Sequence, residues 1–173
     1  MWGMLSTAAP SATDRARRPV AVRVALGAYP PVIAVNVLAG LAAAYLVAAV
    51  DAVNGDGEPV LVFPAATAAV LAIAFWHTVP WLAVRIALMV GVAKGRPGAR
   101  IAAVAVEALA VALWVAAFLA RVEDSGGDLI SAGPAGGFRT AALAAGVVSA
   151  ALVVLLCHPQ TRAWFTRRDQ VLP

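Results

Sequence analysis

The stretch His77–Arg121, HTVPWLAVRIALMVGVAKGRPGARIAAVAVEALAVALWVAAFLAR, decides how the rest of the chain is read. Two apolar runs flank a basic turn, Lys94-Gly95-Arg96-Pro97-Gly98-Ala99-Arg100. Each run carries one charge in an otherwise apolar setting, Arg85 before the turn and Glu107 after it. Arg85 lies eleven positions before Arg96, and Glu107 eleven after it. An antiparallel helical hairpin turning at Arg96 therefore brings both side chains to one level, about 10–13 Å inside the helix ends. Opposite charges at equal depth on neighbouring helices can pair, which lowers the cost of holding either away from water.

The composition around this hairpin says what surrounds it. Of 173 residues, 62% are hydrophobic and 13% charged. A soluble domain is about 45–50% apolar and about 25% charged, so both departures point to a membrane. The length suits one domain. The net charge of +4 is no nucleic-acid signal, because the basic residues sit in short clusters at helix ends and not on one polar face. A single cysteine, Cys157, excludes an internal disulfide, a paired-thiol redox site and a Cys-based zinc cluster. Abundant Ala, Val, Gly and Arg with little Lys suggests a GC-rich bacterial genome.

On the N-terminal side of the hairpin, residues 1–19 are rich in Ala, Ser, Thr and Pro and read as a disordered cytoplasmic tail. Val20–Tyr29 reads as a helical lead-in along the inner interface, broken at Pro30-Pro31. The first span follows over about 31–50, long enough for a ~30 Å hydrocarbon core. A cleaved signal peptide is the alternative, but this apolar run exceeds the usual ~7–15-residue core of such a signal. The acidic turn Asp51–Glu58 leads to an apolar run, Pro59–Ala93, that measures about 50 Å as a helix, too long for one straight crossing. The basic turn fixes its inner end. The second span is therefore placed at 71–93, with 59–70 as an outer extension and Pro64 and Pro80 as the candidate break and kink. The rival placement sinks Val60–Thr78 and lets Trp81–Ala93 project from the inner face. It is disfavoured because the next helix must start where this one ends.

The third span is placed at 101–120. An acidic, Gly-rich loop, Arg121–Gly137, precedes the fourth, at 138–157. Residues 159–173 form a basic-aromatic tail with Arg162, Trp164, Phe165, Arg167 and Arg168, suited to adsorption on an anionic membrane surface. Lys and Arg gather before span one, in the middle turn and after span four, while Asp and Glu gather on the other side. By the positive-inside rule both termini are cytoplasmic. The expected fold is an all-α integral membrane four-helix bundle, N-in and C-in.

Counting inward from the cytoplasmic ends, Asn36 and Ser149 fall at about 8–13 Å depth, the level of Arg85 and Glu107. Each span thus offers one polar group to a single layer. The layer can be a clasp that fixes helix register, or a site for a proton, a cation or an anionic head group. Small residues at four-residue spacing, Asn36, Gly40, Ala44 and Ala48 in span one and Ala142, Gly146 and Ala150 in span four, would let helices approach closely. His77, between Trp76 and Trp81, reads as a residue of the outer aromatic belt. The only other histidine, His158, lies at the opposite face, which excludes a dihaem cytochrome. The Asp124 and Asp128 loop reads as solvated and not as a divalent-ion site. No phosphate loop, metal set or Ser/His/Asp constellation is present.

The stretches VGVAKGRPGARIAAV and VVLLCHPQTRAWF resemble the small four-span integral membrane proteins of actinobacteria, in which a Gly-Arg-x-x-Ala-Arg turn and a closing Arg-Ala-Trp-Phe recur. The turn matches as Gly95-Arg96-Pro97-Gly98-Ala99-Arg100, and the likeness covers spans two to four. It implies the topology and no activity. The expected function is non-enzymatic, without cofactor or metal. It is that of a structural or accessory protein of the cytoplasmic membrane whose partners are the bilayer and other membrane proteins or itself, not nucleic acid. The alternative is a small transporter or channel built on the Arg85/Glu107 layer.

Overall fold

The computed structural model describes residues 19–55, 61–78, 81–124, 130 and 133–169. These form helix α1 (Val20–Asn54), strand β1 (Leu61–Val62), helices α2 (Ala65–Thr78), α3 (Leu82–Ala93) and α4 (Pro97–Phe118), strand β2 (Glu123–Asp124), and helices α5 (Pro134–Cys157) and α6 (Pro159–Asp169). The fold is all-helical apart from the two short strands. Helices α1, α4 and α5 are each long and apolar enough to cross a membrane. Thr67–Thr78 and Leu82–Ala93, bent by 48° relative to each other, meet the same criteria when taken together as one broken span. The expected kink residue, Pro80, and residues 1–18 of the tail expected at 1–19 lie outside the described residues.

What packs these helices is a period of seven. Along α1 the buried residues are Val22, Ala25, Tyr29, Val32, Asn36, Ala39, Ala43, Leu46 and Val50, with steps alternating three and four; Gly40 joins the same face. In α5 they are Ala135, Phe138, Ala142, Ala145, Ser149, Leu152 and Leu156, and in α4 Ala103, Glu107, Ala110, Trp114 and Ala117. This is the a/d seam of coiled-coil packing. The expected four-residue stripes are corrected by it. Four residues turn a helix by about 400°, so such a stripe drifts off the seam, whereas seven residues fall only ~20° short of two full turns. Ala48 is accordingly exposed, and Ala44, Gly146 and Ala150 are only partly buried.

The seam also explains why α1 ignores its two prolines. Pro30 and Pro31 lie inside the continuous helix, contrary to the break expected there. Both are exposed, so the carbonyls they leave unbonded are on the outer face, while Tyr29 and Val32 on either side stay in the seam. Packing over the whole length outweighs the local breaker, and Val20–Tyr29 joins the bundle and does not lie apart from it.

The hairpin turn is set by glycine. Gly95 has φ +75°, and the N–H groups of Gly95 and Arg96 donate to the carbonyls of Val92 (3.0 Å) and Gly91 (3.0 Å). This is a Schellman closure, which needs a left-handed residue after the helix. Pro97 then starts α4 with a φ suited to the first turn, four residues earlier than expected; Pro134 does the same for α5. Each partner helix end is capped by an arginine. Arg100 Nη1 donates to the Leu156 carbonyl at the end of α5 (3.1 Å), and Arg139 Nε donates to the Phe118 carbonyl at the end of α4 (3.1 Å). Cations at helix C-termini also meet the negative end of the helix dipole.

At the end away from this turn, β1 and β2 pair antiparallel, Leu61 opposite Asp124 and Val62 opposite Glu123. Asn54 holds the strand to α1, its Nδ2 donating to the Leu61 carbonyl (2.7 Å) and its Oδ1 accepting from the Leu61 N–H (2.9 Å). Of the segment 59–70 expected as an extension, Leu61–Val62 form this strand and the residues from Ala65 on already belong to α2. Helix α3 packs along α4, with Gly91 against Ala99.

Gly40 of α1 approaches Thr78 of α2 closely. A Cβ on Gly40 would lie 2.7 Å from the Thr78 Cβ, while one on Gly27 would meet nothing within 4 Å. Gly40→Ala should therefore destabilise the protein by about 1–3 kcal/mol through overpacking. Gly27→Ala should stabilise it by about 0.5–1 kcal/mol through lost unfolded-state freedom. Thermal unfolding in detergent distinguishes the two, and equal shifts would contradict this packing.

Candidate functional site

The apolar core is divided in two by one polar layer. One cluster contains Ala39, Ala43, Leu71, Ala110, Trp114 and Ala145; the other contains Val32, Val92, Ala103, Leu152, Leu156 and Phe165. Between them, at seam positions of four different helices, lie Asn36 (α1), Arg85 (α3), Glu107 (α4) and Ser149 (α5), none more than 1% exposed. The four residues placed at one depth by counting are brought together.

Their geometry is a single connected network. Arg85 Nε donates to Glu107 Oε1 at 2.9 Å, and Nη2 donates to Glu107 Oε2 at 3.3 Å, a bidentate pairing of guanidinium with carboxylate. The same Nη2 donates to Asn36 Oδ1 at 3.2 Å. That oxygen also accepts from Trp114 Nε1 at 2.6 Å. Asn36 Nδ2 donates to the Val32 carbonyl one turn back (2.9 Å) and to Ser149 Oγ (3.1 Å). Two N–H donors on one side of the amide and two acceptors on the other fix which way it faces. Asn36 is the hub, since it alone joins the ion pair, the indole and α5.

Trp114 is the member that sequence reasoning missed. A signal existed: it stands seven residues after Glu107, on the same seam, and a fully buried indole N–H requires an acceptor. The small hollow at the strand end, lined by Leu46, Thr67, Val122, Ile130, Phe138 and Arg139, includes none of the layer's residues.

The other singled-out residues fall elsewhere. His77 is buried, not set in an exposed belt, with its ring 5.6 Å from that of Trp81; neighbouring Trp76 is exposed. Among the described residues no group of three His, Cys, Asp or Glu could hold a metal. Asp124 is part of β2, and Asp128 lies outside the described residues. The tail needs correction. Arg162 is exposed, but Trp164 and Phe165 are buried against the bundle and not laid out as surface anchors. They pack edge to face with each other at 4.8 Å, and the Arg100 guanidinium sits 5.8 Å from the Phe165 centroid, a contact that favours the ring staying inside. Arg167 and Arg168 belong to the same helix, α6.

Comparison with known protein families, with curated proteins and with solved structures finds no match.

Asn36 makes four hydrogen bonds in the layer and Ser149 one. Asn36→Ala should therefore cost clearly more stability than Ser149→Ala, because it strands the indole N–H and an arginine donor, each at about 1–3 kcal/mol. Glu107→Gln should cost about 3–5 kcal/mol by leaving Arg85 buried without a counter-charge, while Arg85→Met/Glu107→Met should be near neutral. Denaturant titration in detergent reads both comparisons. A double variant no better than the worse single would contradict the register-fixing role.

Proposed function

We propose that this chain is a four-span, non-enzymatic integral protein of a bacterial cytoplasmic membrane, with both termini inside. In this reading it serves as a structural or accessory component that binds other membrane proteins or itself. The single observation that supports a structural role is the bidentate Arg85–Glu107 pairing within a buried layer. Both carboxylate oxygens accept from one guanidinium, and the surrounding amide, hydroxyl and indole groups bond one another. A transport site must exchange its groups with water, and a sealed layer does not.

The four-span count rests on α1, α4, α5 and the bent α2–α3 pair all meeting the length and hydropathy of a crossing. The orientation rests on the placement of Lys94, Arg96 and Arg100 in the inner turn. The actinobacterial likeness of the hairpin and the closing segment fits the same topology.

Two measurements test the proposal. In a Cys157→Ser background, an impermeant thiol reagent applied outside should label a cysteine at Gly55 and not one at Gly95; the opposite result reverses the orientation. Carbodiimide modification of Glu107 tests the sealed pair, because the reagent must reach a buried carboxyl whose two oxygens are both held by Arg85. Glu107 should stay unmodified. Stoichiometric labelling, suppressed by an ion or solute, would establish the transporter reading in place of the structural one.

A further inference from the structure

Among the described residues, α6 covers the end of the bundle that carries the basic turn. After α5 the chain breaks at His158, whose backbone is extended (φ −55°, ψ 137°), and Pro159 opens an eleven-residue helix. A helix that short is not stable alone in water, so its order depends on what it packs against. It packs through a few contacts. Trp164 and Phe165 enter the apolar cluster made by the start of α1 (Val22, Ala25, Tyr29), Val92 of α3, Ala103 of α4 and the end of α5. Buried Thr161 donates from Oγ1 to the Leu155 carbonyl at 2.9 Å, and Arg100 lies over Phe165 while it caps α5. Its other face, with Arg162, Ala163 and Thr166, is exposed.

The cluster that receives the two rings also holds a buried polar atom without a hydrogen bond. Tyr29 is 1% exposed, and its hydroxyl has no hydrogen-bond partner among the described residues. It lies one heptad before Asn36, on the same seam. An unbonded hydroxyl in a dry core is unfavourable, and water entering from below would satisfy it. The same cluster includes Val32, Val92, Ala103 and Leu152.

We infer that α6 is a plug: with Trp164 and Phe165 seated it closes the basic end of the bundle against water, and its release opens a vestibule past Tyr29 that ends at the Arg85–Glu107 layer. This builds on the sealed layer proposed above, which forms the floor of the vestibule. The plug hinges at His158-Pro159, and Arg100 is the residue that couples it to the hairpin turn.

The test uses full-length protein in nanodiscs, Cys157→Ser, with a cysteine at Ala103 below the layer or at Ala110 above it. Both positions are fully buried in the seam. The probe is a charged methanethiosulfonate. In the parent both thiols should react slowly. With Trp164→Ala/Phe165→Ala, the Ala103→Cys thiol should react at least about tenfold faster, because labelling follows the population of the opened end, while Ala110→Cys should not change. Where the double substitution does not give a monodisperse protein, Arg100→Gln is read instead and should shift Ala103→Cys in the same direction. Equal reactivity of Ala103→Cys with and without the substitutions, whether fast or slow, overturns the plug. Acceleration at both positions in monodisperse protein leaves the plug standing and overturns the sealed layer.

Discussion

The structure depends on keeping two opposite charges dry. An isolated arginine or glutamate inside an apolar bundle carries a desolvation penalty of several kcal/mol, and only a partner with near-ideal geometry offsets it. Arg85 and Glu107 meet that demand through two parallel hydrogen bonds. The geometry holds only if α3 and α4 stand in one register, and the Schellman turn at Gly95 together with the Gly91–Ala99 contact sets that register. Once the pair is fixed, Asn36 and Trp114 place α1 relative to the hairpin, and Ser149 ties in α5. Apolar packing could not supply this choice. Runs of alanine and valine offer nearly equivalent contacts after a one-turn slip, whereas a misaligned slip would leave charges and an amide unbonded. A polar residue at a seam position specifies register in coiled coils for the same reason.

Much of this was legible in the sequence, and particular residues show why. Equal spacing of Arg85 and Glu107 about Arg96 gave their shared depth, because a helical hairpin converts residue counts directly into height. Asn36 and Ser149 followed from the same counting. The four-residue stripes were misleading because alanine is so frequent that several periods fit it, and only the alternating three-and-four step of the buried residues distinguishes them. Pro30-Pro31 read as a stop because local rules see two missing N–H groups, but not the 35-residue helix whose packing tolerates them. The β1–β2 pairing joins segments about sixty residues apart and leaves no local mark. Trp164 and Phe165 beside arginines suit a membrane surface and a bundle end equally well. Which one they occupy depends on Arg100 and on the gap at the start of α1, and both are tertiary facts.

The two ends of the molecule are closed by different means. At one, a pair of two-residue strands and Asn54 bind the connecting segments through backbone hydrogen bonds, and Thr67 accepts from the Arg121 N–H at 3.1 Å. Such closure is directional and polar. At the other, aromatic rings fill the space between helix ends with one cation over them. Apolar closure is less directional and is easily exchanged for lipid or another apolar surface, so the two ends differ in how readily they would open.

The hub position of Asn36 has a consequence for the order in which the chain is made. Synthesis runs from the N-terminus, so Asn36 emerges before every side chain that bonds it: Arg85, Trp114 and Ser149 all follow. Arg85 and Glu107 are separated by only 22 residues and can neutralise each other as soon as their hairpin is complete. The first helix, by contrast, carries an incompletely bonded amide through the making of three more helical segments. Its side chain is satisfied in full only when α5 arrives, 113 residues later. Assembly is therefore gated at its last step, and a nascent chain cut short of Ser149 keeps an open hydrogen-bond donor in α1 that distinguishes it from the finished protein.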